Sequence, residues 1–251
     1  MKSMVFAAAA IACSLLAPSA LAQSVFDYDV YSDGAASGSG GSYGDVAARP
    51  TNAAAFSGGL FTSLSASSNA MTSQALAFST TLKGLATNGG FSSSAGAGLL
   101  TSTVGGFGVF SLTAAQFTTI SSLSFTGPGD GAIVNVSGGI IAHTANMNFG
   151  SLDPSRVIFN FYDASQVIIS NAAIPGTILA PKAYVNLSGI NVSGTVIAKT
   201  FAGSGNTVVG GTPFVLNAVP EPATWAMMIA GFGAIGGALR ARRRRERVVF
   251  A

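Results

Sequence analysis

The chain has 251 residues and a formal net charge of +3, with 49% hydrophobic residues, only 8% charged residues and 32 glycines. So little charge beside so much apolar sequence excludes a disordered chain, which combines high charge with few apolar residues. One cysteine and one histidine exclude an intrachain disulfide, a Cys-based zinc site and any multi-histidine metal centre.

The first twenty-two residues read as a signal peptide. Lys2 supplies a positive start, Val5 to Ala17 an apolar stretch, and Ala20-Leu21-Ala22 a small-x-small cleavage site before Gln23. The apolar stretch is too short for a stable membrane span. Cys13 lies inside it, and Ala10 stands where a lipoprotein signal would carry a leucine-like residue. The mature chain is therefore expected to lack cysteine. Between Gln23 and Val219 the cations Arg49, Lys83, Arg156, Lys182 and Lys199 face Asp27, Asp29, Asp33, Asp45, Asp130, Asp153 and Asp163, five against seven, or −2. The basic pI thus belongs to the two ends, and no nucleic-acid partner is expected of the body.

Val25 to Tyr31 alternates apolar and polar residues and predicts a first strand. Ser32 to Gly44 reads as a Gly/Ser surface loop. From Ala53 to Leu85 the period changes: Phe56, Leu60, Leu64, Met71, Phe78, Leu82 and Leu85 keep to one face of a helix, with Asn52 as its cap and Gly89-Gly90 beyond its end. Short apolar runs fill Phe91 to Thr126, and Leu112 to Ile120 predicts a short helix with Thr113 as N-cap. Gly127-Pro128-Gly129-Asp130-Gly131 is a turn.

An internal repeat follows. Val134-Asn135-Val136-Ser137-Gly138 to Thr144 matches Ile190-Asn191-Val192-Ser193-Gly194 to Thr200, and Gly176-Thr177-Ile178-Leu179-Ala180 matches Gly194-Thr195-Val196-Ile197-Ala198. The second pair lies eighteen residues apart, with the β-branched runs Val157 to Phe161 and Val167 to Ile169 before it. Short strands returning at that period predict the rungs of a parallel β-helix, with Ile178 and Ile197 stacked inside. An antiparallel β-sandwich is the alternative. The expected fold is mainly β: a solenoid with one long α-helix alongside, plus a C-terminal transmembrane helix.

The C-terminus is a separate module. Residues 214–222 form a linker holding Pro220, Glu221 and Pro222, whose prolines keep the backbone extended. Residues 223–239 are almost purely apolar, and at about 1.5 Å per residue they reach roughly 26 Å, the short end of a bilayer span. Trp225 stands at the outer end, at headgroup level. The basic tail 240–251 carries Arg240, Arg242, Arg243, Arg244, Arg245 and Arg247, a cytoplasmic stop that leaves everything before it outside. Gly231, Gly233, Gly236 and Gly237 offer a small-residue helix face.

This order of parts, and Val219 to Gly233 in particular, resembles the PEP-CTERM signal of Gram-negative bacteria. The resemblance implies an exosortase as processing partner, an inner-membrane precursor, release to the cell surface or matrix, and a link to exopolysaccharide or biofilm. Ile174 to Pro181 and Gly189 to Lys199 resemble the closing motifs of the choice-of-anchor A domain. That resemblance covers 23–213, implies a bacterial surface protein and carries no residue-level activity.

Catalytic chemistry is sparse. His143 is the one candidate base, and its match to Lys199 in the longer repeat places it on the surface. Asp153, Arg156, Asp163, Lys182 and Lys199 read as isolated turn charges, because no spacing pairs two carboxylates. Asp27, Asp29 and Asp33 alternate without the glycine or terminal Glu of a calcium loop. The Asn-x-Ser triplets at Asn135, Asn186 and Asn191 are chance products of turn-rich sequence. The expectation is a non-enzymatic surface or matrix protein without cofactor or metal. The alternative is an ice- or polysaccharide-binding module in which Thr177 and Thr195 stack as a ladder.

Overall fold

Short β-branched runs separated by glycine-bearing turns coil into a parallel β-solenoid in the computed structural model, which describes residues 24–48, 61–63, 69–144, 146–150, 152–208 and 214. Strands Phe107–Thr113, Gly131–Ser137, Val157–Asn160, the first half of Thr177–Ser188 and the first half of Val196–Ser204 lie side by side on one face. The N-terminal strands Val30–Ser32, Val46–Ala48 and Phe61–Ser63 continue the same sheet beyond the last of them. The first strand therefore pairs with nearly the last, Val30 opposite Val196.

Where the sequence repeats at eighteen residues, the rungs stack at eighteen: Ile178 faces Val196 and Ala180 faces Ala198. Both copies open on glycine for a steric reason. Gly176 sits at φ +139°, and a Cβ on Gly194 would lie 2.5 Å from the carbonyl carbon of Gly176. Earlier rungs are longer, with Phe107 opposite Gly131 and Ala132 opposite Val157. The longer repeat is not a stacking register, since Val134 stands in the column of Phe159, Ile178 and Val196, not of Ile190. Ile197 is likewise out of the interior column. It pairs with Leu179 on the outer side of the sheet, while Ile178 and Val196 belong to the interior cluster.

Pairing is parallel except at one end, where Gly89–Ser94 folds back antiparallel on Ala97–Ser102. The two turn residues, Ala95 at φ 49° and Gly96 at φ 82°, both take the left-handed conformation that matches strand twist in a two-residue hairpin.

Helix α1, Asn69–Gly84, covers the outer side of this first face. Met71, Ala75, Ser79 and Leu82 form its buried stripe at steps of four, four and three. It is shorter than the predicted 53–85. Phe61–Ser63 is a strand against Val46–Ala48, and Asn52, Phe56, Leu60 and Leu64 lie outside the described residues. The helix is fixed by a buried polar network. The Ser79 hydroxyl donates to Asn160 Oδ1 (2.6 Å), Asn160 Nδ2 donates to Asn135 Oδ1 (2.8 Å) and the Ser79 carbonyl (2.9 Å), and Asn135 Nδ2 donates to the Leu82 carbonyl (2.9 Å). Leu82 is in the last turn, where its carbonyl accepts from the Leu85 amide at 3.3 Å and from Asn135, which serves as a side-chain cap.

The predicted short helix is present as α2, Ala114–Thr119. Thr113 Oγ1 accepts from the Gln116 amide, and Gln116 reaches back to the Thr113 amide. Phe117 is buried, and its carbonyl lies 2.8 Å from Nδ1 of His143. His143 is only 1% exposed, with its ring 4.5 Å from that of Phe117, contrary to the expected surface position. The false register explains the error: His143 stands in the inward column of Ile169 and Leu187.

Two more expectations change at the N-terminus. Val25–Asp27 is a 3-10 turn capped by Ser24, so the strand begins only at Val30. The Gly/Ser stretch 32–44 is not a loop but half a rung, with strands Ala36–Ser39 and Ser42–Tyr43. No helix among the described residues is long and apolar enough to cross a membrane, and the predicted span 223–239 lies outside them.

Candidate ligand-binding face

Each rung turns a corner after the helix-covered face and runs along a second, open face. Its strands are Ile140–His143, Gln166–Ser170, the second halves of Thr177–Ser188 and Val196–Ser204, and Ala36–Ser39. Alternation sends Ile141, Val167, Val185, Phe201 and Ala36 inward. The outward positions stack in three columns at about 4.8 Å per rung. The first is Ile140, Gln166, Tyr184 and Thr200, the second Ala142, Ile168, Asn186, Ala202 and Ser37, and the third Ser170, Ser188, Ser204 and Ser39.

None of these positions carries a charge. Ile140 is 65% exposed and Tyr184 38%, two of the three exposed large apolar side chains among the described residues. The serine column has a local cause. Each serine precedes a left-handed residue that turns the chain off the face: Asn171 (φ 52°), Gly189 (φ 61°), Gly205 (φ 62°) and Gly40 (φ 57°). Three residues further on, Ile174, Val192, Val208 and Tyr43 stack inward. The recurring corner Ser-Gly/Asn-x-x-apolar is legible in the sequence at Ser39, Ser170, Ser188 and Ser204.

The predicted threonine ladder is elsewhere and closed. Thr177 and Thr195 are 0% and 2% exposed, and Thr177 Oγ1 accepts from the Thr195 amide at 3.4 Å. They have no free surface to present.

Of the five charges read as isolated turn charges, most serve corners. Arg156 pairs with Asp130 (2.8 Å) and lies over the ring of Phe107, 4.5 Å from its centroid. Asp153 caps the turn Pro154–Arg156, and the hydrogen bonds from Ser155 hold its carboxyl below the usual range. Asp163 accepts from the Gly138 amide. Only Lys182 and Lys199 come together, at the bend between the covered and open faces.

At the N-terminus, Asp27 closes a capping box with Ser24, and Asp33 accepts from the Thr72 hydroxyl at 2.6 Å. Asp29 accepts from the Asp45 amide, and burial raises its carboxyl above the usual value. Among the described residues no group of three or more His, Cys, Asp or Glu side chains is placed to hold a metal ion. Asn135 is buried in the α1 network, whereas Asn186 lies on the open face and Asn191 is exposed beyond its corner. The sorting residues Pro220, Glu221, Pro222 and Trp225, the arginines 240–247, and the cleavage residues Ala20 and Ala22 lie outside the described residues.

Comparison with known proteins fixes the family. Residues 11–209 match the ice-binding-like adhesive domain, and residues 218–245 match the PEP-CTERM protein-sorting motif. The second match spans Pro220-Glu221-Pro222, Trp225 and the arginines up to Arg245. It marks an exported surface protein, held in a membrane before an exosortase processes it. Over 23–213, where the sequence resembles a choice-of-anchor A domain, the family shown is the adhesive domain.

No curated protein matches the chain by sequence. Among solved structures, a glycosylated ice-binding protein from an Arctic yeast aligns at TM-score 0.52 and 18% identity, over 77% of this chain and 94% of that one. An ice-binding protein of Shewanella frigidimarina aligns at 0.51 and 15%, over 74% and 95%. One from an Antarctic biological consortium aligns at 0.50 and 14%, over 73% and 87%. At such identities these likenesses concern the fold alone. The family match covers most of the chain, which therefore belongs to the ice-binding-like adhesive domain family and bears a PEP-CTERM sorting tail.

Proposed function

We propose that this chain is a non-enzymatic adhesin, sorted to the surface of a Gram-negative cell, that grips exopolysaccharide of the biofilm matrix through its open face. The observation that carries this reading is the uncharged, regularly spaced set of outward columns on consecutive rungs. Such a surface loses little by desolvation, since its polar groups are hydroxyls and amides, not ions. Its periodic hydroxyls and amides suit a periodic, hydroxyl-rich ligand. Tyr184 adds an exposed amphipathic ring of the kind that stacks on a sugar. The sorting tail supports the same reading, because it delivers the domain to where matrix polysaccharide is found.

Ice is the second reading, favoured by the adhesive-domain match and by the short side chains of the column Ser170, Ser188, Ser204 and Ser39. In the other two columns Ile140, Gln166, Tyr184, Ile168 and Asn186 interrupt a regular array of short side chains, which is why polysaccharide leads. The test is the full chain with Ala202→Glu and Ser188→Glu, two changes at outward positions. Retention on the cells' own exopolysaccharide is expected to fall at least tenfold. Unchanged retention overturns the reading, and incorporation of the wild-type chain into growing ice without polysaccharide retention replaces it with the second.

A further inference from the structure

At the bend between the covered and open faces the ladder slips. Ala180 faces Ala198 and Tyr184 faces Thr200, so Pro181, Lys182 and Ala183 stand opposite Lys199 alone. This bulge sets two exposed lysines on neighbouring rungs. Like charges opposite each other across strands are destabilising. Neither side chain has a hydrogen bond or ion pair among the described residues. The two lysines line a cavity of about 230 Å³ together with Asp33, Thr72, Leu76 and Pro181, between α1 and the solenoid. That is room for a cluster of waters or for one sugar ring. Its floor is ordered: Tyr31 Oη lies 2.9 Å from Thr72 Oγ1, which donates to Asp33 Oδ1 at 2.6 Å. Tyr184, at the start of the open face, follows Lys182 by two residues.

We propose that this cavity is a binding site for one uronic-acid unit of an acidic polysaccharide, Lys182 and Lys199 holding the sugar carboxylate while Asp33 accepts from its hydroxyls. The site rests on the polysaccharide reading above and names the class of polymer. A carboxylate beside two ammoniums disfavours a bare anion such as phosphate, which brings no donor for Asp33. A sugar acid offers both the charge and the hydroxyls. The polymer would continue from the cavity past Tyr184 onto the uncharged columns.

The test titrates the full chain in detergent with oligogalacturonate, its carboxyl-reduced counterpart, free galacturonate and inorganic phosphate. The acidic oligomer is expected to bind at least tenfold more tightly than the reduced one. Lys182→Ala with Lys199→Ala abolishes that preference without lowering the melting temperature, and the double Arg variant keeps it. Asp33→Asn weakens galacturonate and strengthens phosphate. Equal affinity for the two oligomers overturns the proposal. So does an intact preference in the double Ala variant, or wild-type phosphate binding as tight as that of galacturonate. The Ala202→Glu, Ser188→Glu chain separates this site from the open face. Free galacturonate reaches only the cavity and binds that variant like wild type, whereas the oligomer binds it weakly. A variant that holds the oligomer as wild type does overturns the open-face reading and leaves the cavity standing.

Discussion

One strand, Thr177–Ser188, belongs to both faces of the solenoid, and its two halves obey different rules. Thr177 to Pro181 is buried at every position, because the interior takes Ile178 and Ala180 while α1 covers the outer side. Tyr184 to Ser188 alternates, with Val185 and Leu187 inward and Tyr184, Asn186 and Ser188 turned out. A continuous apolar run reports a strand covered on both sides, and alternation reports one side in water. The covered half tolerates polar groups only in closed networks such as Ser79, Asn160 and Asn135. On the open half, polar side chains are the working surface.

This contrast can be broken from the inside first. Ile178→Asp places an unpaired carboxylate in the core and is expected to unfold the domain at room temperature, read by loss of the cooperative thermal transition. A folded Ile178→Asp chain would remove the interior assignment. Asn160→Ala opens the network under α1 and strands the partners Ser79 and Asn135. A loss of about 1–3 kcal/mol is expected by chemical denaturation, with faster amide exchange along α1. Thr113→Ala removes the cap of α2 for about 1 kcal/mol and loosens the packing of Phe117 over His143. On the open face, Ser188→Glu and Ala202→Glu should each change stability by less than about 0.5 kcal/mol, while the pair alters binding. A destabilisation as large as that of Asn160→Ala would mean that the open face is covered after all.

The rungs between Val157 and Ser204 were legible because their buried runs recur locally, and the Gly176/Gly194 pair gave the stacking register directly. The α2 cap was equally legible, since Thr113 and Gln116 are three residues apart. Other features depended on partners far along the chain. Ser32 to Gly44 looked like a loop because its strands use small residues; only pairing with Phe201 to Ser204 makes them a rung. His143 was misplaced by a similarity that does not correspond to a stacking register. Helix α1 was overextended because Leu60 and Leu64 continue its apolar stripe in sequence, whereas Phe61–Ser63, between them, pairs as a strand with Val46–Ala48, a contact that sequence spacing does not show. At the candidate site, the absence of charge was legible, but the lysine pair was not. The bulge after Ala180 creates it, and no spacing rule predicts a bulge.

The pairing of Val30–Ser32 with Val196–Ser204 also bears on when the protein can fold. Residues joined across 166 positions must wait for each other, and a parallel topology of such high contact order is intrinsically slow to form. In a chain exported from its N-terminus, the first strand emerges long before the rung that completes its hydrogen bonds. Until Val196–Ala198 has crossed, the side of that strand away from Val46–Ala48 remains an unpaired edge, able to join a neighbouring chain instead. Its short length, three residues, and the charged Asp33 and the Gly34 that follow it keep that edge from becoming a template for aggregation during secretion.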